Sequence, residues 1–149
     1  MIIRKMTIDD YEQVYDIWLT SGNGLNDIDD SKSGIEKYLR RNPETCFVAE
    51  YNGNIVGSIL SGHDGRRGFI NHTSVLASER KKGVGTALVN AAVEALKSEG
   101  ITKVALVVFA HNASGNQFWE KAGFKPRNDL IYRDKALTDL KRINDDFKF

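Results

Sequence analysis

Apolar and polar positions change their period several times along this chain, and each change marks an element. Ile2-Ile3-Arg4-Lys5-Met6 reads as a short strand, after which Thr7 offers an N-cap to Ile8-Asp9-Asp10-Tyr11. Val14, Ile17 and Trp18 keep a helical phase through Leu19, and Ser21-Gly22-Asn23-Gly24 ends it. Asp30 or Ser31 caps a second helix running through Ile35, Tyr38 and Leu39 to Arg41. Thr45 to Tyr51 and Asn54 to Ser61 are strand-like runs separated by Asn52-Gly53, a strong hairpin signal. His63-Asp64-Gly65-Arg66-Arg67-Gly68 makes a second turn, and Phe69 to Leu76 a further strand. The period then becomes helical again at Val84, Leu88, Ala91, Ala92, Ala95 and Leu96, with Gly100 at the C-cap position. Lys103 to Phe109 is an apolar run with three valines, the pattern of a strand covered on both faces. Asn112 to Ala122 reads as a helix closed by Gly123, with Phe118, Trp119 and Ala122 inward. Phe124 opens a last pair of short strands around Pro126-Arg127-Asn128-Asp129, the second being Leu130 to Ala136, and Leu137 to Phe149 fits a terminal helix.

A meander followed by strand, helix and strand implies an α/β (α+β) domain with a mixed, mostly antiparallel sheet and one parallel crossover. At 149 residues, one domain spanning 1–136 plus a tail of 137–149 is the simplest organisation. Hydrophobic residues at 41% and charged residues at 28% are ordinary for a globular protein, and 21 basic against 20 acidic residues leave a net charge of +1. That balance gives no general attraction to nucleic acid or membrane, so any basic site must be local. The N-terminus carries no long apolar run of the kind a signal peptide needs, and a cytoplasmic location is expected. Cys46, the single cysteine, sits among Thr45, Phe47 and Val48 and reads as strand packing. The acidic stretch Asn26-Asp27-Ile28-Asp29-Asp30 lacks the spacing of a calcium loop and reads as solvated.

Local basicity is concentrated at Arg80-Lys81-Lys82-Gly83-Val84-Gly85-Thr86, between a strand and a helix. Two glycines let successive N–H groups converge, and the helix adds its unpaired amides and positive dipole end. Three cations around that end suit a diphosphate. The alternative is an ordinary turn with solvated charges.

These features resemble the GNAT superfamily of acyl-CoA-dependent N-acetyltransferases, over nearly the whole chain from Ile2 to about Ala136. The resemblance is carried by Val75 followed five residues later by Arg80-Lys81-Lys82-Gly83-Val84-Gly85, and by Asn112 followed seven residues later by Trp119-Glu120-Lys121-Ala122-Gly123-Phe124. His63-Asp64-Gly65-Arg66-Arg67-Gly68 and Phe118-Trp119 also resemble a bacterial YpeA-like subgroup. The resemblance implies a sheet splayed between its fourth and fifth strands, with acetyl-CoA as cosubstrate and no metal. In that reading Ser74, Val75 and Leu76 hold the pantetheine arm by their backbone, while the amides from Lys82 to Thr86, with Arg80 and Lys81, hold the diphosphate. Asn112 bonds the arm from the other side or simply caps its helix. The implied reaction moves an acetyl group to an amine by direct attack, with the Val75 N–H as oxyanion donor and His72 as candidate base. Strand parity puts Asn71, Thr73 and Val75 on one face and His72 with Ser74 on the other, unless a bulge changes the phase. A structural histidine and water-mediated deprotonation are the alternatives to His72 as base.

One position departs from the pattern: relatives often carry a tyrosine acid where this chain has Trp119, whose indole N–H cannot give up a proton. Either the thiolate leaves unassisted or another group such as Tyr132 takes part, with Trp119 packing against the core or the pantetheine. Acceptors in this family approach over the first two helices and the last strands. Asp27, Asp29, Asp30, Arg66, Arg67, Arg127 and Asp129 are therefore candidates to flank a small-molecule or peptide amine. Dimers are common among such domains, and the tail's apolar residues are candidates for an interface. The competing class is an acyl-CoA-binding regulatory module without turnover. A dinucleotide-binding unit fits poorly, because Leu88 occupies the third glycine position.

Overall fold

The structure, a computed structural model, describes residues 1–143. Its sheet has the order β1-β2-β3-β4-β5, formed by Ile2–Lys5, Phe47–Tyr51, Asn54–His63, Gly68–Val75 and Val104–Ala105. The first four strands pair antiparallel and β4 pairs with β5 in parallel. The β2–β3 turn sets Asn52 at φ 51° and Gly53 at φ 79°, the left-handed pair that a two-residue hairpin demands.

Strand alternation divides the core in two. Val48, Ile55 and Leu60 face helices α1 (Tyr11–Thr20) and α2 (Lys32–Arg41), joining Val14, Ile17, Trp18 and Ile35. Ala49, Val56, Ile59 and Ile70 face α3 (Val84–Ser98), joining Val84, Leu88, Val89 and Ala92. Helix α4 (Ala113–Lys121) adds Phe118 and Trp119 to the rim of the second cluster. Trp18 is fully buried, and its indole N–H donates to Ser58 Oγ at 3.3 Å, fixing α1 on the middle of β3. Cys46 is buried beside it, its thiol pushed up to about 12 by burial, which leaves it a packing residue.

Three expectations need correction. The strand at Lys103 to Phe109 is paired only at Val104–Ala105. Val104 and Leu106 still pack inward and Val107 is exposed, so strand periodicity persists where the ladder does not. The last two strands, from Phe124 and over Leu130 to Ala136, do not form: Leu130, Ile131 and Tyr132 are 61%, 77% and 67% exposed. A β5 that stops pairing at Ala105 offers them no continuous ladder, and Pro126 lacks a donor. The terminal helix is absent over residues 137–143, which cross to the α1–α2 loop instead: Asp27 N–H donates to Lys141 C=O at 2.9 Å and Ile143 N–H to Leu25 C=O at 3.0 Å. The remainder of that expected helix, 144–149, lies outside the described residues.

At the far edge, Asp10 clamps β1 to the start of α1. Its carboxylate takes both Arg4 Nη atoms at 2.9 and 2.8 Å and the Thr7 N–H at 2.9 Å. Burial alone would raise its pKa; the Arg4 guanidinium and the Thr7 N–H outweigh that and hold it below the usual carboxylate value. A depressed folded-state pKa contributes stability above the unfolded value and loses it as pH falls through the folded one. Asp10→Asn should therefore cost about 1–3 kcal/mol at neutral pH, and its difference from the parent should shrink below pH ~4. Urea melts of both proteins at neutral pH and near pH ~3 check this, and a difference independent of pH would refute it.

Candidate active site

The site is built around a bulge in β4. Ile59 pairs with Thr73 but Ser61 pairs with Ile70, so Asn71 and His72 together oppose Leu60. The extra residue shifts the side-chain phase, placing Asn71 on the α2 face alongside His72 and Ser74. Asn71 Nδ2 donates to Tyr38 Oη at 3.2 Å, His72 stacks on Trp18 with ring centroids 4.7 Å apart, and Ser74 Oγ accepts from Asn23 Nδ2 at 2.6 Å.

The same bulge orders the backbone. Leu76 N–H donates to Val56 C=O at 2.8 Å. In an antiparallel ladder alternate residues face the same neighbour, so Ser74 also faces β3 while Thr73 and Val75 face away from it. On that outer side Gly68 N–H still reaches Lys103 C=O at 2.9 Å, but pairing with β5 ends at Phe69 and Ala105. Beyond lies a wedge into which the N–H and C=O of Thr73 and Val75 point. Thr73 Oγ1, in the same stretch, is buried without a hydrogen-bond partner. Of the three backbones expected to hold an arm, that of Val75 opens on the wedge. Both groups of Leu76 are engaged, its carbonyl by Glu79 N–H at 2.9 Å.

At the mouth of this wedge stands the N-terminus of α3. Lys81 and Gly83 take positive φ, 62° and 85°, turning the chain so that the helix begins at Val84. Its first internal bond runs from Ala87 N–H to Gly83 C=O, and the amides of Val84, Gly85 and Thr86 precede it, unpaired within the helix. Arg80 Nε donates to Val75 C=O at 3.2 Å, which swings the guanidinium over the wedge, and Lys82 Nζ lies 3.3 Å from Glu79. Lys81 is exposed. On the opposite wall, Asn112 caps α4, its Oδ1 accepting from Gly115 N–H at 2.9 Å. Its Nδ2 stays available as a donor among the described residues. Trp119 is held edge-on by Phe118 and Phe124, with centroids 5.1 and 5.2 Å away, so its ring is a packing element. Tyr132 is exposed in the C-terminal arm.

On the other face of β4, His72 Nε2 meets Asp30 Oδ1 at 2.6 Å. Asp30 is only 5% exposed: its second oxygen accepts the Asn26 N–H at 2.8 Å, and its carbonyl accepts the Tyr11 hydroxyl at 2.6 Å. The acidic loop is thus not uniformly solvated, since Asp30 turns inward to a histidine. Sequence reading placed Asp30 at a helix start and missed this partnership. It also missed Thr73, which the two-residue alternation with Val75 would have flagged, and Tyr38, which burial keeps protonated beside Asn71.

A splayed sheet whose open strand edge is faced by an unsatisfied helix end defines an acyltransferase architecture. The chain belongs to the acetyltransferase (GNAT) family, whose sequence profile matches residues 11–124. An acetyltransferase of Sodalis glossinidius is 30% identical over 139 residues, covering 93% of this chain and 97% of that one. Another from Pectobacterium atrosepticum is 33% identical over 139 residues, covering 93% and 98%. Among solved structures, Ard1 from Thermoplasma volcanium superposes with a TM-score of 0.74 at 28% identity, covering 82% of this chain and 80% of that one. AAC(6')-Iy, solved in complex with a bisubstrate analogue of coenzyme A, shares the fold with a TM-score of 0.71 at 19% identity, covering 91% and 97%. The protein is a bacterial-type acyltransferase that carries out acetyl transfer.

Gly85 has a role that its place in the motif conceals. A Cβ there would meet the Phe118 ring at 3.2 Å, so the residue lets α3 and α4 close together. Gly85→Val should therefore lower the stability of the ligand-free protein by about 1–3 kcal/mol, measured by denaturant unfolding, and Gly85→Val with Phe118→Ala should recover part of it. A ligand-free stability equal to the parent's would show that the glycine serves only the anion site.

Proposed function

We propose that the protein transfers the acetyl group of acetyl-CoA to a primary amine by direct attack, within the wedge between β4 and β5. The observation that carries this is the convergence of unspent groups on one wedge: the Val75 N–H, the orphan Thr73 hydroxyl and the first amides of α3. A diphosphate fits the amides of Val84, Gly85 and Thr86 with Arg80 and Lys82, and a pantetheine arm fits the open edge at Val75 and the Asn112 amide. Bound there, acetyl-CoA supplies an activated thioester.

The chain's own groups divide the work. Val75 N–H, aimed into the wedge, donates to the oxygen on which negative charge develops. His72 takes the amine's proton: with Nε2–H donated to Asp30, Nδ1 carries the lone pair. Asp30, buried and held by Asn26 and Tyr11, fixes that tautomer and balances the charge the imidazole acquires. No protonated group is assigned to the departing sulfur in this scheme, and a thiolate is weak enough as a base to leave without one.

Thiol release from acetyl-CoA in the presence of a panel of primary amines tests the reading. Turnover should exceed hydrolysis with at least one amine, and His72→Gln should lower kcat/KM by roughly 10²–10⁴-fold. Release no faster than hydrolysis for every amine would defeat the proposal.

Trp119 gives a separate prediction. Trp119→Tyr should bring no gain over Trp119→Phe in turnover between roughly pH 6 and 10, because the indole's function is edge-on packing. A tenfold advantage for tyrosine, about 1.4 kcal/mol of barrier, would instead reveal a missing acid.

A further inference from the structure

Two hollows adjoin on the α2 face of β4, sharing Tyr38 and Asn71 in their walls. The smaller, about 420 Å³, contains His72 and Asp30 with Asp29, Lys37 and Arg41. The larger, about 560 Å³, contains Asp64, Arg67, Phe69, Lys103, Arg127 and Leu130.

Their charges are spent unequally. Every lining carboxylate is turned back into the protein. Asp30 takes His72 and the Asn26 N–H, and Asp29 takes Asn26 Nδ2 at 3.0 Å. Asp64 takes the amides of Arg66 and Arg67, each at 2.8 Å. Of the cations, Arg127 alone is matched, by a two-pronged bond to Asp129 at 2.9 and 2.8 Å that holds that carboxyl at about 2. Lys37, Arg41, Arg67 and Lys103 form no ion-pair contact with a carboxylate among the described residues, although Lys103 adds to the attraction that lowers Asp129; Arg67 spends one N–H on the Thr102 hydroxyl at 3.2 Å. With Asp129 counted, five cations stand against four carboxylates around the two hollows, and the positive excess falls in the larger one, beside the His72 side on which the acceptor would enter under the proposed reaction.

From these observations we infer that the acceptor is an elongated amine with an oxyanion at its far end, and that polycations are disfavoured. The inference rests on the acyl-transfer reading of the same site. His72 marks the amine end. Gly68, in register with Val104, marks the end beside Arg67 and Lys103. The four residue steps from one to the other span roughly 13 Å at about 3.3 Å per step. Phe69 and Leu130 supply an apolar middle, 36% and 61% exposed. An amine and an oxyanion separated by an aliphatic spacer of about 10 Å match that layout, whereas a diamine of equal length brings its second cation against Arg67 and Lys103.

Matched probes decide it: ω-aminooctanoate, diaminooctane and octylamine, with ω-aminooctyl phosphate to separate a carboxylate end from a phosphate end. Two readouts are taken on each: thiol release from acetyl-CoA, and calorimetric binding to the coenzyme A-loaded protein. Aminooctanoate or its phosphate counterpart should be preferred over diaminooctane by roughly tenfold in both, and the preference should narrow as salt screens exposed charge. Arg67→Glu combined with Lys103→Glu should invert the order, the thermal response to coenzyme A reporting that the variant is folded. Diaminooctane bound and used as well as the anionic probes, or an order unmoved by the double substitution, overturns the inference. Charge-ordered binding without thiol release from any probe sinks the acyl-transfer reading and the acceptor role with it, leaving only the charge preference of the hollow. Turnover of all probes without charge order sinks the inference alone.

Discussion

One extra residue in β4 sets the geometry of everything that acts. Because Asn71 and His72 both oppose Leu60, the strand on either side of them is out of phase with itself. Before the bulge, Gly68 spends its backbone on β5. After it, Thr73 and Val75 aim theirs at a neighbour that has diverged. The same offset puts Asn71, His72 and Ser74 on one face, over α1 and α2. A single irregularity thus serves both sides of the sheet, opening a backbone edge toward α3 and α4 while seating a histidine on Trp18 and Asp30.

Most of the scaffold was legible because it follows local rules. Asn52-Gly53, the Ser31 cap, the helical phase from Val84 to Leu96 and the Asn112 cap are signals of a few residues each, and the structure holds them where the pattern put them. Parity alone left His72 apart from Asn71, since a bulge is a property of two strands and Leu60 gives no hint of it. Asp30 was legible as polar but not as buried, because its partner lies 42 positions away. The C-terminal strands misled for a related reason. Leu130-Ile131-Tyr132 has strand composition, but a strand forms only against an edge, and β5 stops offering one at Ala105.

The glycine motif shows how one short sequence serves several purposes. Gly83 supplies the left-handed turn that starts α3, whereas Gly85 gives room to Phe118. Arg80 contacts the Val75 carbonyl, so a motif cation and the strand that bears the open edge are joined before any ligand arrives. The acidic residues on the other face follow the opposite logic: their oxygens are occupied by the protein's own amides and histidine, so the acceptors open to a ligand are fewer than the composition of the loops suggests.

The contact between residues 141–143 and the α1–α2 loop has a consequence for biosynthesis. Asp27 and Lys141 are 114 positions apart, and the backbone bonds of Leu25 and Asp27 to the tail are among the most distant in the chain. A ribosome releases the strands, the α3 turn and the α4 cap well before it releases Ile143. The cosubstrate wall can therefore condense while the loop that carries Asp30 still lacks its backbone partners from residues 141–143, and the histidine's side of the site is completed only when those residues emerge. In this order of assembly residues 141–143 close a loop that Leu25 and Asp27 left open.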